Sequence, residues 1–199
     1  MTPHPRRRRR GDDRREQIID VALKAFADNG YRSASIAEIA DRCGLSQPGL
    51  LHYFPNKAAL LSAVLGYRDR LDYDRLGFDQ QLRGKDALVR LAQLVEHNMH
   101  VPGLVRLFTV LTSEAVTADH PAHEWALNRY RLLQDYLAGA LQAGIDDGSI
   151  RKDIDPAAIA RQVFAMMDGL QLQWLVDPDS VDMATLFRAY VDELIAYIS

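Results

Sequence analysis

Apolar residues recur along this chain at intervals of three and four, with no stretch of the alternating kind that builds strands, so the pattern predicts an all-α protein. Ile18, Ile19, Ala22, Leu23 and Phe26 share one face of a helix running from about Asp12 to Asn29, capped by Asp12 or Asp13 and closed at Gly30. Ser35 and Glu38 have the spacing of a capping box, in which the hydroxyl accepts from the Glu38 N–H and the carboxylate from the Ser35 N–H, so the next helix starts at Ile36. Ile39 and Cys43 fall on one side of it, Ala40 leaves room for a crossing helix, and Gly44 can take the left-handed conformation that ends it. Ser46 then caps a second short helix, with Pro48 in its first turn, where a missing N–H costs nothing, and Leu50 and Tyr53 turned back toward Ile39 and Leu45. Helix, tight turn and helix at this spacing predict a helix-turn-helix.

The block GLSQPGLLHYFPNKAALL, Gly44 to Leu61, preceded by IAEIADRCG and an amphipathic helix, resembles the DNA-binding domain of the TetR (tetracycline-repressor-type) family of transcriptional regulators. Gly49 stands where that family often has Thr, and Leu51 where it often has Tyr. The resemblance implies an N-terminal three-helix DNA-binding domain followed by a C-terminal helical domain for ligand binding and dimerisation. It divides the chain into residues 1–11, 12–57 and 58–199.

After Pro55 and Asn56 a helix opens at Lys57 and carries Leu60, Leu61, Val64, Leu65 and Leu71 toward Gly77. Five more helices follow, at about Asp86 to His100, Gly103 to Val116, Pro121 to Asp146, Pro156 to Val176 and Val181 to Ile198, separated by Pro, Gly, Asp and Ser breaks. Asp155 followed by Pro156 is a cap with proline at the first helical position.

Charge divides with this organisation. The net charge of the whole chain is −3, yet residues 1–57 hold 11 Lys and Arg against 7 Asp and Glu, a net of +4, and residues 58–199 hold 13 against 20, a net of −7. A basic head can enter the phosphate field while the acidic body stays outside it. Arg6 to Arg10 follow two prolines in a segment with nothing to bury, so residues 1–11 are expected to be disordered, either as a solvated tail or as an arm that reaches phosphates or a minor groove.

With Leu45, Leu50 and Tyr53 needed inside, Gln47, Pro48, Gly49, Leu51 and His52 face outward as groove candidates. Gln47 suits the adenine edge, Leu51 a thymine methyl, and Gly49 lets the backbone approach a phosphate. Ser35 lies at a helix N-terminus, where exposed N–H groups favour phosphate. The resemblance adds phosphate contacts for His52, for the Tyr53 hydroxyl and for Lys57.

In the body, Ile159, Val163, Phe164, Met167, Leu170, Leu186, Phe187, Tyr190, Val191, Leu194, Ile195 and Ile198 exceed what one helix pair needs for its own core. A homodimer reading two half-sites of double-stranded DNA suits this surplus, and the resemblance implies that the last two helices form its interface. His100, Phe108, Trp125 and Met167 lie on successive helices and suit a mostly apolar small molecule. His97 with His100, and His120 with His123, have an i to i+3 spacing that is a weak metal signal, since histidines on polar loops are usually solvated.

Cys43 is the only cysteine, which excludes an intrachain disulfide and a cysteine-based zinc site, and its inward-facing place in the motif makes an inert thiol. No apolar run reaches the roughly 18 residues of a membrane span, and no apolar segment follows the basic start as in a secretory signal, so cytoplasmic residence is expected. No phosphate loop, His-Glu-x-x-His or identifiable nucleophile motif occurs, so neither a catalytic site, a metal nor a cofactor is expected. The competing class is an architectural DNA-binding protein of the same fold without an inducer.

Deleting Arg6 to Arg10 should reduce the log–log salt slope of DNA binding by about 0.9 for each phosphate the arm neutralises, measured by fluorescence anisotropy at several salt concentrations. An unchanged slope and affinity would mean that the arm is a solvated tail.

Overall fold

The computed structural model describes residues 5–76 and 82–199, with side chains for residues 13–70 and 82–199. Among them it has nine helices and no strand: α1 (Pro5–Ser33), α2 (Ile36–Arg42), α3 (Gln47–Tyr53), α4 (Lys57–Leu76), α5 (Lys85–Asn98), α6 (Pro102–Glu114), α7 (His123–Asp146), α8 (Pro156–Val176) and α9 (Met183–Ile198). The all-α reading holds, with one change at the start. α1 begins at Pro5 rather than near Asp12, so Arg6 to Arg10 lie on helical turns instead of in an irregular arm. Met1 to His4, and the expected stop at Gly77, lie outside the described residues.

The chain forms two compact units, one of residues through Arg70 together with Arg106–His123, the other of Leu71–Val105 together with Glu124–Ser199. The division expected at Lys57 follows the sequence motif. Packing instead assigns to the head the first part of α4, most of α6 and the loop after it.

In the first unit Ile18, Ala22 and Phe26 of α1 are fully buried, along with Ile39 of α2, Leu50 of α3 and Leu60 and Val64 of α4. The turn between α2 and α3 is a Schellman motif: Gly44, at φ 65°, donates its N–H to Asp41 O at 2.8 Å, and Leu45 donates to Ala40 O at 2.9 Å. Arg14 of α1 donates to Cys43 O at 2.7 Å, satisfying a carbonyl that the end of α2 leaves open. Phe54, 2% exposed, closes this core under the Arg15 guanidinium, 4.8 Å above its ring.

The second unit is built on a cluster from α5, α7, α8 and α9, including Leu88, Leu91, Val95, Leu133, Leu137, Leu141, Ile159, Val163, Phe164, Met167, Leu170, Phe187, Val191, Leu194 and Ile198. Asp155 caps α8 by accepting from Ala157 and Ala158 N–H at 2.9 and 3.2 Å, and Asp182 caps α9 by accepting from Thr185 N–H at 3.0 Å.

This core corrects the expected dimer face. Ile159, Val163, Phe164, Met167, Leu170, Phe187, Val191, Leu194 and Ile198 are buried within one protomer because α8 packs on α9 and α9 on α5. The apolar side chains α8 and α9 leave outside are Met166, Leu172, Val176, Leu186 and Tyr197. Phe187→Asp or Leu194→Asp is therefore expected to unfold the second unit, since an unpaired carboxylate there has no partner to offset its desolvation. The check is loss of helical circular dichroism; a folded monomer would contradict the packing.

Candidate DNA interface

The interface candidates sit on α2, α3 and the start of α4, and local capping places each of them. Ser35 Oγ accepts from Glu38 N–H at 3.5 Å, one half of the expected capping box, while the Glu38 carboxylate sits 3.7 Å from the Arg42 guanidinium, its i+4 neighbour. Ser46 Oγ accepts from Gly49 N–H at 3.2 Å, a cap worth about 1 kcal/mol, and Pro48 occupies the first turn. Asn56 Oδ1 accepts from Ala59 N–H at 2.8 Å and caps α4.

With Leu50 buried, α3 exposes Gln47, Pro48 and His52 and half-exposes Gly49, Leu51 and Tyr53. These six residues form one patch on a single two-turn helix, and Ser35 is exposed at the start of α2. Leu45 and Tyr53, expected inside, are half-buried, whereas Phe54 is buried. The His52 and Tyr53 rings meet edge to face at 5.9 Å.

Lys57 is placed differently from a free phosphate contact. Its ammonium donates to Arg32 O at 3.0 Å and lies 4.7 Å above the Tyr31 ring, tying the first turn of α4 to the end of α1. Burial pushes its pKa below the ordinary lysine value, with the Glu114 carboxylate acting the other way.

Sequence reading missed what holds this patch from behind. Gly30 does not simply close α1: it takes φ 72° and ψ 173°, after which a last turn runs to Ser33. Tyr31 N–H donates to Glu114 Oε2, 83 residues on, at 2.8 Å. His120, read as solvated, is 4% exposed, and its ring packs edge to face on Tyr31 at 5.2 Å. Arg106 reaches Asp28 at 3.2 Å, and the buried Arg68 guanidinium lies 4.6 Å above Phe108. No local motif signals these contacts, because each joins α6 or its following loop to a helix far away in sequence.

Of the expected ligand contacts, Phe108 belongs to the first unit, and His100, Trp125 and Met167 to the second. His100 is exposed just beyond α5, Trp125 is half-buried beneath Arg129 at 5.7 Å, and Met167 is buried in the core. Between α7 and α8, Tyr130 Oη donates to Asp168 Oδ2 at 2.6 Å. Among the described residues no three His, Cys, Asp or Glu side chains converge as a metal site, and no helix is long and apolar enough to cross a membrane. Cys43 is buried, which pushes its thiol pKa up and keeps it a poor nucleophile.

Residues 18–64 match the family model for bacterial regulatory proteins of the tetR family, and residues 88–196 match that for the C-terminal part of BetI-type transcriptional repressors. The chain is 26% identical over 208 residues to the HTH-type transcriptional repressor KstR2 of Rhodococcus jostii, covering 96% of this chain and 94% of that one. Among solved structures, a TetR transcriptional regulator from Chloroflexus aurantiacus superposes with a TM-score of 0.79 at 22% identity, covering 95% of this chain and 96% of that one. The regulator FadR of Bacillus subtilis, solved in complex with stearoyl-CoA, superposes with a TM-score of 0.70 at 21% identity, covering 92% and 99%.

Gln47→Ala should relax preference at one position of each half-site, at a cost of about 1 to 3 kcal/mol, whereas Lys57→Ala should weaken every site alike and lower the salt slope by about 1. Binding-site selection from random DNA with each variant separates the two. A Lys57→Ala protein with an unaltered slope would leave Lys57 only its tie to Arg32 and Tyr31.

Proposed function

This chain belongs to the TetR family of bacterial transcriptional regulators, and from that premise we propose that it is a cytoplasmic repressor that binds a two-fold operator as a homodimer and is released by a small molecule. The carrying observation is the patch on α3: Gln47, Pro48, Gly49, Leu51 and His52 are presented on a helix whose inner face, Leu50 with Phe54 behind it, is fully buried. A helix held this way enters the major groove as a rigid reader, with Ser35, Tyr53 and Lys57 near the phosphates.

A seven-residue helix spans only a few base pairs, so affinity and specificity require a second copy. Met166, Leu172 and Val176 on α8, with Leu186 and Tyr197 on α9, supply the apolar surface for a two-fold contact. The ligand reading rests on the second unit, where Trp125, Met167 and the Tyr130–Asp168 pair combine aromatic, apolar and polar groups on α7 and α8. His100, in the same unit, completes the candidate contacts, and Phe108, in the first unit, is left out of this site. A solved neighbour carries stearoyl-CoA, and a mostly apolar effector is the class these side chains suit.

Leu172→Asp combined with Leu186→Asp should give monomers that keep their helix content and lose operator binding, as read by light scattering and circular dichroism. A dimeric double variant would move the interface elsewhere. Release by a ligand also implies reciprocity: titrations followed by Trp125 and Trp174 fluorescence should show operator DNA weakening the effector by the factor by which the effector weakens DNA. Screens in which no compound alters operator affinity would favour the architectural reading.

A further inference from the structure

The contact between α6 and the end of α1 carries chemistry that reading an operator does not by itself require. Tyr31 N–H, the first after Gly30, donates to Glu114 Oε2 at 2.8 Å. The approach leaves no space: a Cβ on Gly30 would overlap Glu114 Oε1 and come within 3.0 Å of Cδ, and φ 72° is in any case a conformation that favours glycine. The same Oε2 lies 3.5 Å from His120 Nε2. His120 Nδ1 accepts from Ala122 N–H at 3.2 Å, so that nitrogen carries no proton and the neutral ring has its N–H on Nε2, facing the carboxylate. Tyr31 is in turn wedged between the His120 ring and the Lys57 ammonium. One carboxylate thus engages the end of α1 and the loop after α6, and through Tyr31 it reaches the first turn of α4.

We propose that Glu114 is a positioning residue for operator binding: its carboxylate, steadied by His120, sets the angle at which α1 passes into the helix-turn-helix, and so the separation of the two recognition helices in the dimer. α6 ends at Glu114, so a turn of α6 about its axis pulls on the Tyr31 N–H. This inference rests on the reading of the chain as a two-half-site operator binder.

Acid acts on the same joint. A second proton on His120 must go to Nδ1, where it meets the Ala122 N–H, two donors face to face, and the 120–122 turn opens. Glu114 and Asp119 favour the cation, Arg32 opposes it, Lys57 lies across the shared Tyr31 ring, and burial, the largest influence, holds the ring neutral. The folded-state pKa is therefore depressed. The joint is intact above the ordinary histidine value of about 6.5 and is progressively destabilised as pH falls below it.

The test uses the full-length protein and an operator selected by the wild type from random DNA, remade with half-sites one and two base pairs closer or farther apart. Wild type is expected to prefer its own spacing by about tenfold, a typical discrimination for one wrong base pair. Glu114→Ala should flatten that preference to within about threefold, Glu114→Asp, which withdraws the carboxylate by one methylene, should flatten it in part, and Glu114→Gln, which keeps an acceptor for Tyr31 N–H, should restore it. Hydrogen exchange should show the Tyr31 amide losing protection in the Ala and Asp variants alone. A merely structural role lowers affinity equally at every spacing; that result in Ala or in Asp, or an unchanged Tyr31 amide, overturns the proposal. A wild type that selects no operator sinks the operator reading itself and is distinguishable from either.

Discussion

A seven-residue helix is too short to persist in water, since nucleation is unfavourable and isolated helices of that length are marginal. Everything this protein does with DNA depends on holding α3 helical from outside. Ser46 satisfies an N–H at its start, Leu50 buries its inner face completely, and the Schellman turn at Gly44 sets its angle to α2. The candidate groove residues are then free to be chosen for chemistry, because none of Gln47, Pro48 or His52 is needed in the core.

That dependence extends to the rest of the first unit. α3 leans on α2, and α2 is tied to α1 by Arg14 at the Cys43 carbonyl. α1 is held at its far end by α6, through Arg106 on Asp28 and Glu114 on Tyr31. The exposed Arg106 pair contributes little, as surface ion pairs do. The Glu114 contact is of another kind, a charge-assisted hydrogen bond to a backbone N–H in a partly buried place, where losing the acceptor strands the donor. The α6 segment therefore packs with the head even though in sequence it lies within the body.

Charge follows the same division of labour. A net of +4 in residues 1–57 against −7 in the remainder lets one chain approach a polyanion in a preferred orientation at a negative overall charge. Lys57 shows the limit of counting charges. Its ammonium is partly committed to Arg32 O and the Tyr31 ring, so part of its energy goes into the frame that carries the patch.

What the sequence determined by itself is what local backbone chemistry decides: the caps at Ser35, Ser46 and Asp155, the left-handed turn at Gly44, the starts of α2, α3, α4 and α8, and the outward side of α3. Each depends on residues within about five positions, so spacing alone exposes it. The tertiary structure decided which face of each body helix turns inward. α8 and α9 are apolar around most of their circumference, so periodicity could not tell Phe187 and Leu194, in the protomer core, from Leu172 and Leu186, outside it. It also decided the fate of polar residues whose partners are remote. Glu114 and His120 look like solvated positions near a loop, and only the fold, by bringing them 83 and 89 residues back onto Tyr31, turns a carboxylate and a neutral imidazole into the frame behind the recognition helix.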